Sequence, residues 1–360
     1  MMLTIRNDFP GGNIIVDQIN GDHVALRHDQ RGSTAPWFYW YFAVHGAAGR
    51  TLQFTFTDGD VIGERGPCVS RDGGTSWQWL GRAGVRGTSF DFDFAPGDDE
   101  VRFCFCIPYL ESDLRRFLGE TAGVQREVLC RSPKGRAVEL LRVGSAAASR
   151  WVLVTARHHA CESTGSFVLE GLLRGWQEAG RDDVALLAVP FVDKDGVEDG
   201  DQGKARAPHD HNRDYRREPR PLYPEVAALI KLVDDRGPPV VDLDLHAPWI
   251  RGTWNDCVYV VGACDEATAA RQRRFLALWS GCAAGPLPVR SDGMLPYGQA
   301  WNTMDRSETS THSRWLTAVG CPLAMSIEFP YAQVGAVATS AAALRAAGRD
   351  VAHALVDYLA

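Results

Sequence analysis

The hydrophobic pattern of this chain changes period once, near residue 112, and that change restricts the fold more than any other feature of the sequence. Before it, "TLQFTF" sets Leu52, Phe54 and Phe56 on one face, "SFDFDF" does so with Phe90, Phe92 and Phe94, and "VRFCFCI" with Val101, Phe103, Phe105 and Ile107. Period two, broken by turns such as "RDGGTS" and "APGDD", predicts an all-β antiparallel sandwich over residues 1–111. The aromatic run Trp37 to Phe42 reads as strand core, with a sugar-stacking platform as the other reading. From "YLESDLRRFLGE" onward, segments with helical spacing alternate with apolar runs. The strand candidates are "WVLVT" (151–155), "VALLAVPFV" (184–192), "PVVDLDLH" (239–246), "CVYVVG" (257–262) and "LAMSIEF" (323–329). That alternation predicts an α/β domain over residues 112–360, a mostly parallel sheet between helices, closed by the helical "SAAALRAAGRDVAHALVDYLA".

Composition narrows the function classes. Hydrophobic residues make up 45% of the chain and charged residues 23%, which suits a packed globular protein and argues against disorder. A net charge of -7 argues against nucleic-acid binding, because tracking a phosphate backbone needs a concentrated basic face. No apolar stretch is long enough to span a membrane, and "MMLTIRNDFPGG" lacks a signal-peptide core, so a cytoplasmic location is expected. Nine cysteines without C-x-x-C spacing read as thiols in a reducing compartment.

In open parallel sheets, ligands bind where the carboxyl ends of strands meet their loops. Reading those ends gives His159 and Glu162 after "WVLVT", the segment "DKDGVEDGDQGKARAPHDHNRDY" after the next strand, His246 ending "PVVDLDLH", and Glu328 near the end of "LAMSIEF". Two imidazoles and one carboxylate form a ligand set for catalytic zinc, which assigns His159, Glu162 and His246 as ligands. Glu328 is then the candidate to take a proton from water and pass it to a leaving amine. Asp210 is the candidate to orient His159 through its second ring nitrogen. Asn212 and Arg213 suit an anionic substrate end, and Lys204 or Arg206 suits an oxyanion, although loop charges are more often simply solvated.

These segments, "HACE", "DHNR", "DLH" and "SIEF", occur in the order found in M14 zinc carboxypeptidases. The chain resembles the cytosolic carboxypeptidase-like branch. "ARHHACESTGSFVLEG" is similar to that branch's zinc segment, "PFVDKDGVEDGDQGK" with "DHNRDY" to its substrate segment, and "WFYWYF" with "CFCIPYLESDL" to its N-terminal β-sandwich. The resemblance implies a mixed eight-stranded sheet between helices and one zinc ion per chain on His159, Glu162 and His246. It also implies Glu328 as general base and acid, with Asn212 and Arg213 on the substrate's C-terminal carboxylate. The expected activity is a zinc-dependent metallocarboxypeptidase that hydrolyses a C-terminal peptide or isopeptide bond, with Glu328 activating the zinc-bound water.

Departures from the family pattern matter as much. Cys161 stands where digestive members carry an arginine. Gly203 falls where the cytosolic branch has an arginine that polarises the scissile carbonyl, so Lys204 or Arg206 must substitute. Tyr297 in "GMLPYGQAW" is the candidate for the family's mobile tyrosine. Arg306 and Arg314 precede the Glu328 strand, where the family places its specificity determinant, so a preference for acidic C-terminal residues competes with a plain surface role. Two other functions stay open at this level: a zinc amidohydrolase acting on N-acyl amino acids, and a catalytically inert binding protein that works through its β-sandwich. The sequence fixes no oligomeric state.

Overall fold

The computed structural model describes residues 2–303 and 310–360. Two five-stranded sheets hold the N-terminal strands. One runs in the order Thr4–Arg6, Tyr41–His45, Glu100–Cys104, Cys68–Ser70 and Gln78–Trp79, and the other Ile15–Asn20, His23–Arg27, Thr51–Phe56, Ser89–Asp93 and Val85–Arg86. Their inner faces share one apolar core in which the rings of Phe42 and Phe54 lie 5.6 Å apart and those of Phe90 and Phe103 also 5.6 Å. The expectation of a purely antiparallel sandwich needs one correction, because His23–Arg27 pairs with Thr51–Phe56 in parallel. The strand between them, Tyr41–His45, belongs to the opposite sheet, so the chain crosses the sandwich and returns in its original direction. Phe38 to Phe42 are all under 5% exposed, which makes this run strand core and not a sugar platform.

The larger sheet has eight strands in the order Gln125–Arg131, Ala137–Val143, Val184–Val189, Arg150–Ala156, Val241–His246, Ala324–Glu328, Tyr259–Val261 and Met294–Leu295. The leading Gln125–Arg131 and Ala137–Val143 hairpin has no counterpart in the strand candidates read from sequence; its first strand is mostly exposed and carries no clear alternation. Three central strands, Arg150–Ala156, Val241–His246 and Ala324–Glu328, run parallel and bring their carboxyl ends to one edge. Helices α1 (Glu111–Glu120), α2 (Thr164–Ala179), α5 (Glu266–Cys282) and α7 (Ala341–Leu359) contribute to the core on one face. Helices α4 (Pro224–Arg236) and α6 (His312–Ala318) contribute to the core on the other, and the six-residue α3 (Lys194–Asp199) lies between strands. None of the described helices is long and apolar enough to cross a membrane.

Side-chain alternation on Val241–His246 decides where the chemistry sits. Val241, Leu243 and Leu245 join the core beneath α2 and α7, which sends Asp242, Asp244 and His246 to the opposite face. All six residues are buried, so the three polar ones must find partners inside the protein.

Helix α2 carries the ligand turn at its N-terminus and is locked in place by α7. At the crossing a Cβ on Gly171 would lie 1.9 Å from the Arg345 carbonyl oxygen, and one on Gly348 would lie 2.0 Å from that of Val168. In an exposed helix Gly→Ala gains about 1 kcal/mol from propensity. Here backbone meets backbone and nothing can yield cheaply, so Gly171→Ala is expected to destabilise by about 1–3 kcal/mol, the usual cost of overpacking. Urea denaturation of the variant checks both the sign and the size.

Candidate active site

The turn after strand Arg150–Ala156 starts at Arg157, a non-glycine residue at φ 64°, and that conformation turns the chain sharply toward α2. The buried Arg157 guanidinium holds the turn by donating to the carbonyls of Ala160 and Tyr109. The Thr164 hydroxyl donates to the Phe329 carbonyl, tying the turn to the end of the Glu328 strand. His159 and Glu162 are thereby presented toward His246 on the neighbouring strand, and all three are buried.

Their ligand atoms converge. His159 Nδ1 is 2.8 Å from Glu162 Oε1, His246 Nδ1 is 2.8 Å from Glu162 Oε2, and the two Nδ1 atoms are 3.2 Å apart. A tetrahedral ion with bonds of about 2.0–2.1 Å implies edges of about 3.3 Å, close to this triangle. The other nitrogen of His246, Nε2, lies 2.7 Å from Asp244 Oδ2. When that N–H donates to the carboxylate, Nδ1 offers a lone pair toward the Glu162 oxygen. Facing lone pairs repel, so a cation must lie among them, either a proton on the imidazole or a metal ion. The donor set therefore fits zinc.

Electrostatics agree. Burial works against the Glu162 charge, but His159, Lys204 and His246 outweigh it and hold the carboxyl well below the usual range. Burial likewise opposes a charged His246, but Asp244 and Glu162 lift it well above an ordinary histidine. A metal ion would take the place of that proton. Glu328 behaves differently: burial pushes it up to about 7, with Glu162 adding to the rise and His246 and Lys204 opposing it. Its Oε2 atom is buried and has no hydrogen-bond partner among the described residues.

The other residues singled out from sequence fall into two groups. Asn212, Arg213, Lys204, Arg206, Asp210 and Arg314 line, with His159, His246 and Glu328, one cavity of about 1350 Å³. Asn212 Oδ1 accepts from the backbone N–H of His312, which fixes the amide and turns Nδ2 toward the site, 3.3 Å from His246 Nε2. Asp210 lies on the Nε2 side of His159 but at 3.8 Å, beyond hydrogen-bond length. Lys204 and Arg206 separate clearly. Lys204 Nζ is 3.1 Å from Glu162 Oε1, whereas the Arg206 guanidinium is paired with Asp193 at 2.8 Å and Asp201 at 3.0 Å. Tyr297 does not line the cavity; the Arg314 guanidinium sits 5.6 Å from its ring centre. Arg306 lies outside the described residues. Cys161 is buried, 3.8 Å from the Tyr331 hydroxyl, and burial pushes its thiol up to about 12, which leaves it an inert core residue.

One contribution was ranked too low from sequence, where Asp244 reads as an acceptor or a loop partner and Asp210 is favoured over it, and another went unseen. Asp244, and not Asp210, makes the short contact to a ligand histidine, and it also holds His158 Nδ1 at 2.7 Å and accepts from the Thr155 hydroxyl at 2.9 Å. The signal was present: Asp244 precedes His246 by two on a strand, which puts both on one face. The second is Trp37, whose ring centre lies 4.6 Å from Lys204 Nζ. This brings the N-terminal half of the chain to the cavity.

Comparisons with known proteins identify the fold. No family model matches the chain. A metallo-carboxypeptidase of Burkholderia cenocepacia superposes with a TM-score of 0.79 over 100% of this chain and 99% of its own, at 21% identity. One of Pseudomonas aeruginosa, solved with (2-guanidinoethylmercapto)succinic acid, gives 0.80 over 99% and 100%, also at 21% identity. The fold is thus that of the metallo-carboxypeptidases. The sequence relatives include cytosolic carboxypeptidases, which bears out the resemblance to the cytosolic branch of the M14 zinc carboxypeptidases. Cytosolic carboxypeptidase 2 of Danio rerio is 31% identical over 156 residues, 38% of this chain, and cytosolic carboxypeptidase 6 of Caenorhabditis elegans is 28% identical over 214 residues, 53% of it. The match spans 22% of the first relative's length and 45% of the second's.

If the triangle binds zinc, the metal stabilises the folded state by mass action, about 2.7 kcal/mol at a hundredfold excess over its dissociation constant. Thermal denaturation with added zinc should show an upward shift for the wild type and for Glu328→Gln, and none when His159 and His246 are both replaced by Ala.

Proposed function

We propose that this chain is a zinc-dependent metallocarboxypeptidase that removes residues from the C-terminus of a peptide or protein through a peptide or isopeptide bond. One observation carries the reading: the ligand atoms of His159, Glu162 and His246 converge beside the unpartnered Glu328 carboxylate, at the wall of a cavity of about 1350 Å³. Small-molecule pockets run to about 1,000 Å³, so this cleft has room for the end of a polypeptide. That space favours a peptidase over an amidohydrolase of N-acyl amino acids. The burial of Phe38 to Phe42 removes the aromatic surface that a glycan-binding sandwich would need.

His159, Glu162 and His246 would hold a zinc ion, which would supply Lewis acidity and increase the acidity of water. Glu328 takes the proton from the attacking water and delivers it to the departing amine. A group whose carboxyl lies near 7 suits both halves of that transfer. Lys204 neutralises the oxygen of the tetrahedral adduct, since Arg206 is committed to Asp193 and Asp201. Arg213 and Asn212 hold the terminal carboxylate, and Arg314 in the cavity wall favours an anionic C-terminal side chain. The Pseudomonas structure's ligand is a succinic acid, and a carboxylate-bearing ligand of that kind suits this cavity. Nine free cysteines fit a reducing compartment, the cytoplasm.

A panel of peptides that differ at the C-terminus tests the assignment. Wild type is expected to cleave, and Glu328→Gln to lose about 10²–10⁴ in kcat while keeping zinc. The two basic residues give a second prediction. Lys204→Met should lower kcat by about 10²–10³, as removal of an oxyanion donor does, whereas Arg206→Met should lower thermal stability with little loss of kcat. Equal kinetic losses in both variants would contradict the assignment of Lys204.

A further inference from the structure

Tyr259 is a buried tyrosine that the chemistry above leaves unused. Its strand runs antiparallel to Ala324–Glu328, and the register pairs Tyr259 with Glu328, while the parallel register on the other side pairs Glu328 with His246. Residues paired across adjacent strands project to the same face. His246, Glu328 and Tyr259 therefore stand in a row across three strands, with the tyrosine one strand spacing beyond Glu328 on the side away from the metal ligands. Tyr259 lines the same cavity. It is fully buried, and its hydroxyl has no hydrogen-bond partner among the described residues. The Trp301 indole lies near the phenol oxygen but makes no hydrogen bond to it, and nothing described accepts the phenol proton.

The cavity is also lined along the same two strands by Ser326, Ala324 and Val261, and by Gln272 of α5 and Thr317 of α6. Gln272 and Thr317 are already engaged elsewhere. The Gln272 oxygen already takes the Ala263 N–H, and its amide hydrogens go to the carbonyls of Val261 and Ala324. The Thr317 hydroxyl is spent on the Ser313 carbonyl. A buried donor left without a partner costs stability, and proteins retain such groups where a ligand completes them.

We infer that Tyr259 is a specificity-determining residue, whose hydroxyl donates a hydrogen bond to an acceptor oxygen on the side chain of the residue being released, as that side chain passes Glu328 within this cavity. The inference rests on the carboxypeptidase reading. It concerns a residue outside the metal ligands, the proton-transfer group and the carboxylate-binding pair.

The test compares wild type with Tyr259→Phe, which removes one oxygen and no packing. Each is assayed on two peptides that differ only in a C-terminal Gln or Met, nearly equal in size and unlike in acceptor strength. Wild type is expected to prefer Gln in kcat/KM, and Tyr259→Phe to shrink that preference by about 2- to 13-fold, the range of one neutral hydrogen bond. Because the hydroxyl has no partner in the free protein, the variant should melt at the same temperature or about 1–2 °C higher. A purely structural tyrosine would instead scale both peptides equally and lower the melting temperature. An active wild type without the Gln preference, or a preference untouched in Tyr259→Phe, overturns the inference alone. A wild type that cleaves no peptide in the wider panel overturns the carboxypeptidase reading, and this inference with it.

Discussion

Two imidazole nitrogens 3.2 Å apart, with the Glu162 carboxylate against both, is an arrangement that no protein holds together without a cation. The rest of the structure is organised to keep it. Asp244 grips the far side of His246, Lys204 adds a positive charge to Glu162, and the Arg157 turn prevents His159 from swinging away. Each of these groups is itself buried or half-buried, and each is satisfied by another, so the cost of dehydrating charge is offset by pairing around one point. Asp244 is the clearest case. Fully buried, it has three partners, and its charge is what makes His246 a directed ligand instead of a freely rotating ring.

The N-terminal sandwich takes part in this arrangement. Gln202, fully buried, bonds through its side chain to both backbone groups of Tyr39, and its carbonyl accepts from Cys161 in the ligand turn. The next residue, Gly203, has φ +74°, and a Cβ there would lie 2.1 Å from the Ala160 nitrogen. No side chain can occupy position 203, so a basic group near Glu162 must come from another residue, and Lys204 is the one that reaches it. The Thr34 N–H and hydroxyl then donate to the Ala205 carbonyl, and the Trp37 ring backs the lysine. Between the Glu162 carboxylate and the Trp37 ring, the flexible Lys204 cation is given a fixed seat.

Much of the site was legible from sequence because its residues end strands. His246 and Glu328 close runs with strong β patterns, and His159 with Glu162 opens a helix directly after another, so the rim of a parallel sheet could be read as a list. The parts that were not legible depend on register between distant strands. Nothing in "VYVVG" says that Tyr259 stands beside Glu328, because their pairing is decided by packing across a segment of nearly seventy residues. The competition between Lys204 and Arg206 was undecidable for a similar reason: the carboxylates that capture Arg206 come from Asp193 and Asp201, and only the folded loop brings them into range. In the sandwich, alternation identified the strands correctly but carries no information on direction, and so the parallel pairing of His23–Arg27 with Thr51–Phe56 was missed.

A second cluster, His158 with Asp244 and His246, also gathers potential ligands, and it shares His246 with the first. In it, however, both His158 nitrogens are already taken, Nδ1 by Asp244 and Nε2 by the Tyr215 hydroxyl. The two clusters call for an ion on opposite nitrogens of the same ring, which a crystal soaked in zinc distinguishes directly. Anomalous diffraction at the zinc edge should place one ion against Nδ1 of both His159 and His246 and a Glu162 oxygen, at about 2.0–2.1 Å from the nitrogens. An ion at Nε2 of His246 beside His158, or no ordered ion in this cavity at all, would contradict the account.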